Sequence, residues 1–443
     1  MLRSAPSDAT PVISQIEKKP CELADIFAEH GEAFHRDYPL PARHLKVMRR
    51  IIACRTKALG GHRYWCDDCG FERSVYHSCR DRHCPKCQVQ AKEAWREARQ
   101  LDLLPVPYFH QVFTLPHEFN PWILAGEENQ RVLLKLLFDC AAETLLEFGR
   151  GELRGQVGFT SVLHTWDQQL QPHFHLHVLI ASGALAEDKP QSGNSARSRS
   201  RWIAGGAKFL FPVRALSKKF RGKFLAHFEA VLRAGKLRPP AEYASGTKQP
   251  GTKQPWAMLR RVRKKSWVIY SKAPFAGPAK LLDYLSRYTH RVAISNDRIL
   301  ACEQGEVTFA YRDRTDGDRK KTQTIPVNQF IGRFLRHVLP GRFMRIRHYG
   351  FLSNNQRKAK LETIRSLIGA RVPEPQPTLS AAEWLQEILG IDPLQCPCCG
   401  SRLQADELPR RPLRDPLLRR RPRPWAASAD GGTSRAPPQA KSA

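Results

Sequence analysis

The stretch "PHFHLHVLIASG", Pro172 to Gly183, carries histidine at 173, 175 and 177 and then runs without interruption into Val178, Leu179 and Ile180. On a β-strand alternate side chains share a face. His173, His175 and His177 therefore point one way, and Phe174, Leu176, Val178 and Ile180 point the other. The apolar face belongs on a core. Three imidazoles on the opposite face can bind a divalent ion if that face opens onto a cleft. A His-hydrophobe-His pair on this strand plus one further ligand would still leave coordination positions free to polarise a phosphoryl oxygen. His164, Gln168, Gln169 and His173 are candidates for that third ligand.

The neighbouring sequence builds a sheet around this strand. "YFHQVFTLP" reads as a preceding strand, and "VGFTSVLHTW" as an antiparallel partner. Between them "ENQRVLLKLLFDCAAETLLEFG" has the 3.6-residue apolar spacing of a long helix. Further along, "RRVRKKSWVIYSK" reads as a basic strand, "PAKLLDYLSRYTHRVA" as a helix, "GEVTFAYRD" and "KKTQTIPV" as strands, and "NQFIGRFLRHVLP" as another helix. Residues 22–60 show helical periodicity. "AEDKPQSGNSARSRSR" and the tandem "GTKQPGTKQP" have loop composition.

Charge bounds the partner. The 443 residues hold 72 Lys and Arg against 42 acids, a formal +30, with 41% hydrophobic and 9% aromatic residues. A chain with this content folds, and its surplus of cations calls for a polyanion. Nucleic acid fits better than membrane, because no apolar run approaches the ~18 residues of a spanning helix and "MLRSAPSDATPVISQIEKKP" lacks signal-peptide architecture. Twelve cysteines in such a chain argue for metal rather than for a disulfide framework.

Those cysteines are patterned. Cys66-x2-Cys69 is followed after fourteen residues, Gly70 to His83, by Cys84-x2-Cys87. Two such pairs offer the four thiolates of a closed tetrahedral zinc site. The gap falls just short of the usual ~15–20 residues. His77, Cys79 and His83 are spare ligands in the same block. "CPCCG" supplies half of another knuckle through Cys396 and Cys399, with no second pair following; it reads as a weak stand-alone zinc site, a remnant or a partner to distant ligands.

Tyr284 and Tyr288 lie four residues apart in "LLDYLSRYTHRVAIS" and share a helical face. A phenol with a pKa near 10 attacks a phosphodiester only when a metal polarises the phosphate and cations lower its pKa. Arg287 and Arg291 are close in sequence. The same tyrosines also continue an apolar stripe with Leu281, Leu285 and Val292, the ordinary signature of core packing. Single-strand binding wants cations and aromatic faces together. Trp267 and Tyr270 beside Lys264 and Lys265 supply both, and "GRFMRIRHYGF" repeats the mixture.

In order, the zinc block, "VFTLP", "HTW…PHFHLHVLI" and "YLSRYTHRVAISN" resemble the two-tyrosine HUH rolling-circle transposases of bacterial insertion sequences, which carry an N-terminal zinc-binding domain. The likeness runs from about His62 to Tyr349. It implies that His175 and His177 are the metal-ligand pair, Tyr284 and Tyr288 the nucleophiles, and Cys66, Cys69, Cys84 and Cys87 the zinc cysteines. It further implies structural Zn²⁺, catalytic Mg²⁺ or Mn²⁺, single-stranded transposon ends and target DNA as partners, and a 5′-phosphotyrosine intermediate in a bacterial cytoplasmic, nucleoid-associated enzyme. The expected fold is α+β, with an HUH-type antiparallel sheet flanked by helices. Its parts would be a flexible 1–21, a helical zinc-binding 22–104, a catalytic 105–370, a helix and knuckle at 371–403, and a disordered basic tail at 404–443. A metal-dependent nuclease using water and a non-catalytic zinc protein that binds nucleic acid are the alternatives.

Overall fold

The structure is a computed structural model that describes residues 21–187, 200–243, 254–272, 292–372 and 392–411, and the single positions 289, 383, 386 and 390. It is α+β, as expected. Helices α1 (Leu23–Asp37) and α2 (Ala42–Ala53) lead to a hairpin of β1 (Gly61–Trp65) and β2 (Glu72–Tyr76), then to α3 (Gln88–Gln100). Strand β3 (Tyr108–Thr114), short α4 (Asn120–Leu124) and long α5 (Glu127–Glu152) precede the paired strands β4 (Gln156–Trp166) and β5 (Pro172–Glu187). Then come β6 (Ser200–Ala204), α6 (Val213–Arg233), α7 (Pro255–Lys264) and β7 (Ile269–Lys272). The remainder comprises β8 (Ile299–Glu303), β9 (Glu306–Asp313), β10 (Arg319–Pro326), α8 (Val327–Leu335), β11 (Ile346–Gly350), α9 (Arg357–Leu367) and β12 (Gln404–Leu408).

The main sheet runs β11-β4-β5-β3-β7, with β6 also pairing β5, so the histidine strand is central. Its neighbours are antiparallel, and His175 stands opposite both His164 of β4 and Thr114 of β3. β5 is buried on both faces from Phe174 onward, which is why its strict alternation gives way to a continuous apolar run. One face is covered by α5 and α6. Leu133, Leu134, Leu137, Phe138, Ala141 and Leu145 recur at helical spacing on α5, and Phe220, Phe224 and Phe228 recur every fourth residue on α6.

Trp267 belongs to this core. It is 3% exposed, packs against Phe119, Phe220 and Phe224 with centroids 5.5–5.7 Å apart, and donates its indole N–H to the Val262 carbonyl. The expectation that Trp267 stacks on DNA is therefore corrected. The basic strand expected there is also divided: Pro255–Lys264 is helical, with Met258, Leu259 and Val262 buried, and only Ile269–Lys272 is extended.

A second cluster joins parts distant in sequence. Leu23, Ile26, Phe27, Val47 and Ile51 of the first two helices pack with Val307, Phe309, Phe330 and Phe334 of the β8–β10 sheet and α8. The N-terminal helices thus share their core with a stretch read from sequence as part of the 105–370 unit. Residues 404–408, expected within a disordered tail, instead pair with β1 over five positions, from Gly61 opposite Leu408 to Trp65 opposite Gln404. No helix among the described residues is long and apolar enough to cross a membrane.

Candidate metal centres

His164 on β4 and His175 and His177 on β5 face one another across the strand pair. One ligand nitrogen from each lies within 4.8 Å of the others. The Nε2 atoms of His175 and His177 are 3.2 Å apart. A cation about 2.1 Å from each nitrogen would see them at roughly 100°, an ordinary ligand–metal–ligand angle. Of the sequence candidates for third ligand, His164 joins this convergence. His173 stays exposed at the end of the strand, and Gln168 and Gln169 occupy the β4–β5 turn, where Arg298 and Arg333 bond their carbonyls.

The tautomers suit ligation. His175 Nδ1 lies 2.8 Å from the His173 carbonyl, which can only accept, so Nδ1 carries the proton and the Nε2 lone pair faces the cluster. His177 Nδ1 lies 2.8 Å from Nε2 of His110 on β3, with the two rings stacked at 5.1 Å. Burial holds His175 and His177 well below the usual imidazole range, and neighbouring His164 reinforces it. Both are neutral at pH 7, the form that binds a metal. Three ligands with no fourth supplied by this group make an open centre.

The charge of Arg314, at the exposed tip between β9 and β10, also depresses His173, His175 and His177. The tip is tied down by Asp313, which accepts from the Thr315 N–H at 3.0 Å and from Lys321 at 2.8 Å. At the other edge, Tyr270 pairs with Val112, which in turn pairs with His177; Lys272 pairs with His110. Direct pairing puts Tyr270 and Lys272 on the histidine face, and Tyr270 is 54% exposed. His110 and Arg314 were missed in the sequence. A histidine alternating with apolar residues in "YFHQVFT" was the available signal for the first.

The cysteines group differently from their spacing. Cys84 and Cys87 converge with Cys54 and Cys79, whereas Cys66 and Cys69 converge with Cys396 and Cys399. Representative sulfur separations are 3.3 Å for Cys54–Cys87, 3.6 Å for Cys79–Cys87, 3.4 Å for Cys66–Cys399 and 3.5 Å for Cys69–Cys396. Sulfurs about 2.3 Å from a shared zinc lie about 3.8 Å apart in an ideal tetrahedron. The single Cys66/Cys69/Cys84/Cys87 tetrahedron is therefore corrected to two sets. The reason is the hairpin: β2 runs antiparallel to β1 for five residues, about 17 Å, and carries the chain away from the Cys66 turn before Cys79 is reached. His77 and His83 join neither set.

The first set sits where helices meet. Cys54 caps α2, Cys87 precedes α3, and Cys54 and Cys84 are buried. From the same loop Arg82 donates to the Phe343 carbonyl at 2.6 Å, tying the cysteine hub to the main sheet's flank. In "GRFMRIRHYGF", Phe343 and Phe351 are core residues and Tyr349 is partly buried against Phe159. Lys265 is engaged by Glu118, and Lys264 is exposed at the end of α7. Tyr284, Tyr288, Arg287 and Arg291 lie outside the described residues.

Residues 158–360 match a family model described as "Putative transposase", and residues 26–115 match one described as "Transposase zinc-binding domain". A protein of Sinorhizobium fredii named "Putative transposase y4qJ" is 42% identical over 384 residues, spanning 85% of this chain and 92% of its own length. The "Transposase for insertion sequence element IS801" of Pseudomonas savastanoi pv. phaseolicola is 27% identical over 367 residues, spanning 81% and 82%. Residues 158–360 include His164, His175 and His177, and residues 26–115 include Cys54, Cys66, Cys69, Cys79, Cys84 and Cys87.

Proposed function

The chain belongs to the two-tyrosine, IS91/IS801-type family of transposases with an N-terminal zinc-binding domain, and on that premise we propose that it nicks and transfers single-stranded DNA through a 5′-phosphotyrosine intermediate. It is an enzyme that acts on DNA, and its zinc is structural. The observation that carries the finer reading is the convergence of three neutral imidazoles, from His164, His175 and His177, on one point of the sheet.

A Mg²⁺ or Mn²⁺ ion held by those nitrogens would neutralise charge building on a phosphoryl oxygen. Tyr284 or Tyr288 supplies the phenolic oxygen that attacks phosphorus. The P–O3′ bond breaks, the 3′ oxygen leaves as a hydroxyl with a proton, and the 5′ phosphate stays esterified to tyrosine. The ester conserves the phosphodiester's energy, so rejoining to another 3′-OH needs no nucleotide. Two tyrosines allow one to hold the donor while the other serves a second strand.

Arg314, whose charge reaches the histidine cluster, is assigned to neutralising a bound phosphate. Tyr270 and Lys272 offer a base-stacking surface and a backbone contact along the same face. Arg287 and Arg291, close to the tyrosines in sequence, are assigned to lowering the phenol pKa. The working place is the bacterial cytoplasm, beside the nucleoid. The test is cleavage of a labelled single-stranded terminal oligonucleotide with added Mn²⁺. The Tyr284→Phe/Tyr288→Phe double variant is expected to lose cleavage. Undiminished cleavage by that variant would leave a hydrolytic, water-using nuclease in place of a strand transferase.

A further inference from the structure

The knuckle at Cys396 has no second pair after it, and the structure supplies that pair from far upstream. Cys69 and Cys396 are 327 positions apart in sequence, yet their sulfurs are 3.5 Å apart. Cys66 and Cys399, 333 positions apart, approach to 3.4 Å. Chance proximity does not explain the local backbones, which are copies of each other. In each, the Cys N–H bonds the carbonyl five residues on, Cys66 to Phe71 at 2.9 Å and Cys396 to Ser401 at 2.7 Å. In each, the glycine after the second cysteine returns its N–H to the first cysteine's carbonyl, Gly70 to Cys66 at 3.1 Å and Gly400 to Cys396 at 3.0 Å. Both glycines are left-handed, at φ +72° and +78°, a conformation that favours glycine.

The surrounding sheet is also shared. β12 pairs with β1 along its whole length, Arg73 donates to the Pro393 carbonyl, and the Arg411 N–H reaches the Lys57 carbonyl at 3.0 Å. Three strands and two thiolate knuckles are the parts of a zinc ribbon. The apolar support is slight: Cys66, Cys396 and Leu403 form the buried cluster, with Tyr64 and Phe71 against it. A unit this small lacks the core to hold itself together and depends on a staple.

We propose that Cys66, Cys69, Cys396 and Cys399 hold a second zinc ion, which clasps the segment 392–411 onto the N-terminal hairpin and completes a zinc ribbon assembled from two distant stretches of chain. Two consequences follow from geometry. The transposase region lies between the halves of the ribbon, so the metal closes a covalent loop around it. Cys69 and Cys399 are exposed, whereas Cys54 and Cys84 of the other set are buried, so the clasp gives up its ion first to a chelator.

The full-length protein carrying His177→Ala, which keeps zinc out of the histidine centre, is purified with zinc and assayed for metal content and for hydrogen exchange. Two zinc equivalents per chain are expected, falling to one in Cys396→Ser/Cys399→Ser, with amide protection lost at 404–408 and retained in the 23–53 helices. Cys398→Ser, the exposed neighbour outside the set, should keep both ions. Mild chelation of the unaltered protein gives an independent reading, with one ion released early together with protection at 404–408. Two equivalents in the double serine variant or one equivalent in the parent would each overturn the clasp. Cleavage activity enters none of these readings, so the clasp and the strand-transfer mechanism can fail separately.

Discussion

The histidine centre and the cysteine centres present opposite solutions to holding a metal. His164, His175 and His177 arise from adjacent strands of a rigid central sheet, so their approach is set by strand pairing whether or not an ion is present. The cysteine sets lie at helix ends and turns; Cys54 and Cys84 are buried in a large apolar cluster whereas the Cys66/Cys396 set has slight apolar support, and four thiolates apiece leave no position for substrate. An open three-ligand site on a sheet suits chemistry, whereas closed four-ligand sites that join distant stretches of chain suit folding. The difference teaches that an open coordination position, rather than burial, separates a centre suited to chemistry from a structural one.

The comparison is broken most severely at Cys84, buried in the four-thiolate hub. Structural zinc contributes on the order of 10 kcal/mol in small zinc domains. Cys84→Ser is expected to lose one zinc equivalent and the cooperative melting of the N-terminal helices, measured by metal content and circular dichroism. Intact melting would move the hub out of the structural class. His177→Ala tests the other side. Cleavage should fall about 10²–10³-fold or more, as for loss of a preorganised electrostatic stabiliser, while the two thiolate-bound zinc ions are retained. Loss of zinc in that variant would erase the distinction between the centres.

Acid sharpens the contrast further. His337 is buried, 3.1 Å from the Leu170 carbonyl and 3.2 Å from the Thr165 hydroxyl, and burial pushes its pKa down to about 4. Its unfolded value is about 6.5. Between those values the unfolded chain binds a proton that the native chain refuses, so stability falls as pH drops from about 6.5 towards about 4. The loss attributable to His337 approaches about 3 kcal/mol. Denaturant titrations should show this slope flattened in His337→Gln, and an unchanged slope would contradict the assignment.

His110→Phe keeps a ring against His177 and removes the nitrogen that faces its Nδ1. Outer-sphere partners of this kind are worth about 10–100-fold in metal affinity, so the Mn²⁺ concentration for half-maximal cleavage should rise by that factor. No change would leave His110 as packing alone. The smallest effect is expected from Tyr270→Ala. Single-strand affinity should weaken by about 1–3 kcal/mol without a change in melting temperature, whereas Trp267→Ala should cost about 3–5 kcal/mol of stability. A reversal of those two results would return the stacking role to Trp267.

Much of the histidine centre could be read directly. Alternation at 173, 175 and 177 placed three imidazoles on one face, and pairing with "HTW" made His164 a candidate because adjacent antiparallel strands put opposite residues close together. The cysteine partition could not be read this way. Spacing identifies a pair that forms one turn, and says nothing of which distant pair faces it once a hairpin has turned the chain. Cys54, at the end of a helix, carried no pair signature at all. Trp267 was misjudged because a run of cations beside an aromatic reads as a DNA contact. Burial by Phe119, Phe220 and Phe224 is a long-range fact absent from the local pattern.

The central claim is that a tyrosine, rather than water, receives the phosphate at the His164/His175/His177 centre. Incubation with a single-stranded terminal oligonucleotide and Mn²⁺, followed by denaturation, proteolysis and peptide mass analysis, addresses it directly. The account predicts a nucleotide-bearing peptide containing Tyr284 or Tyr288, absent from His177→Ala. Cleaved DNA ending in a free 5′ phosphate, with every tyrosine peptide unmodified, would contradict it.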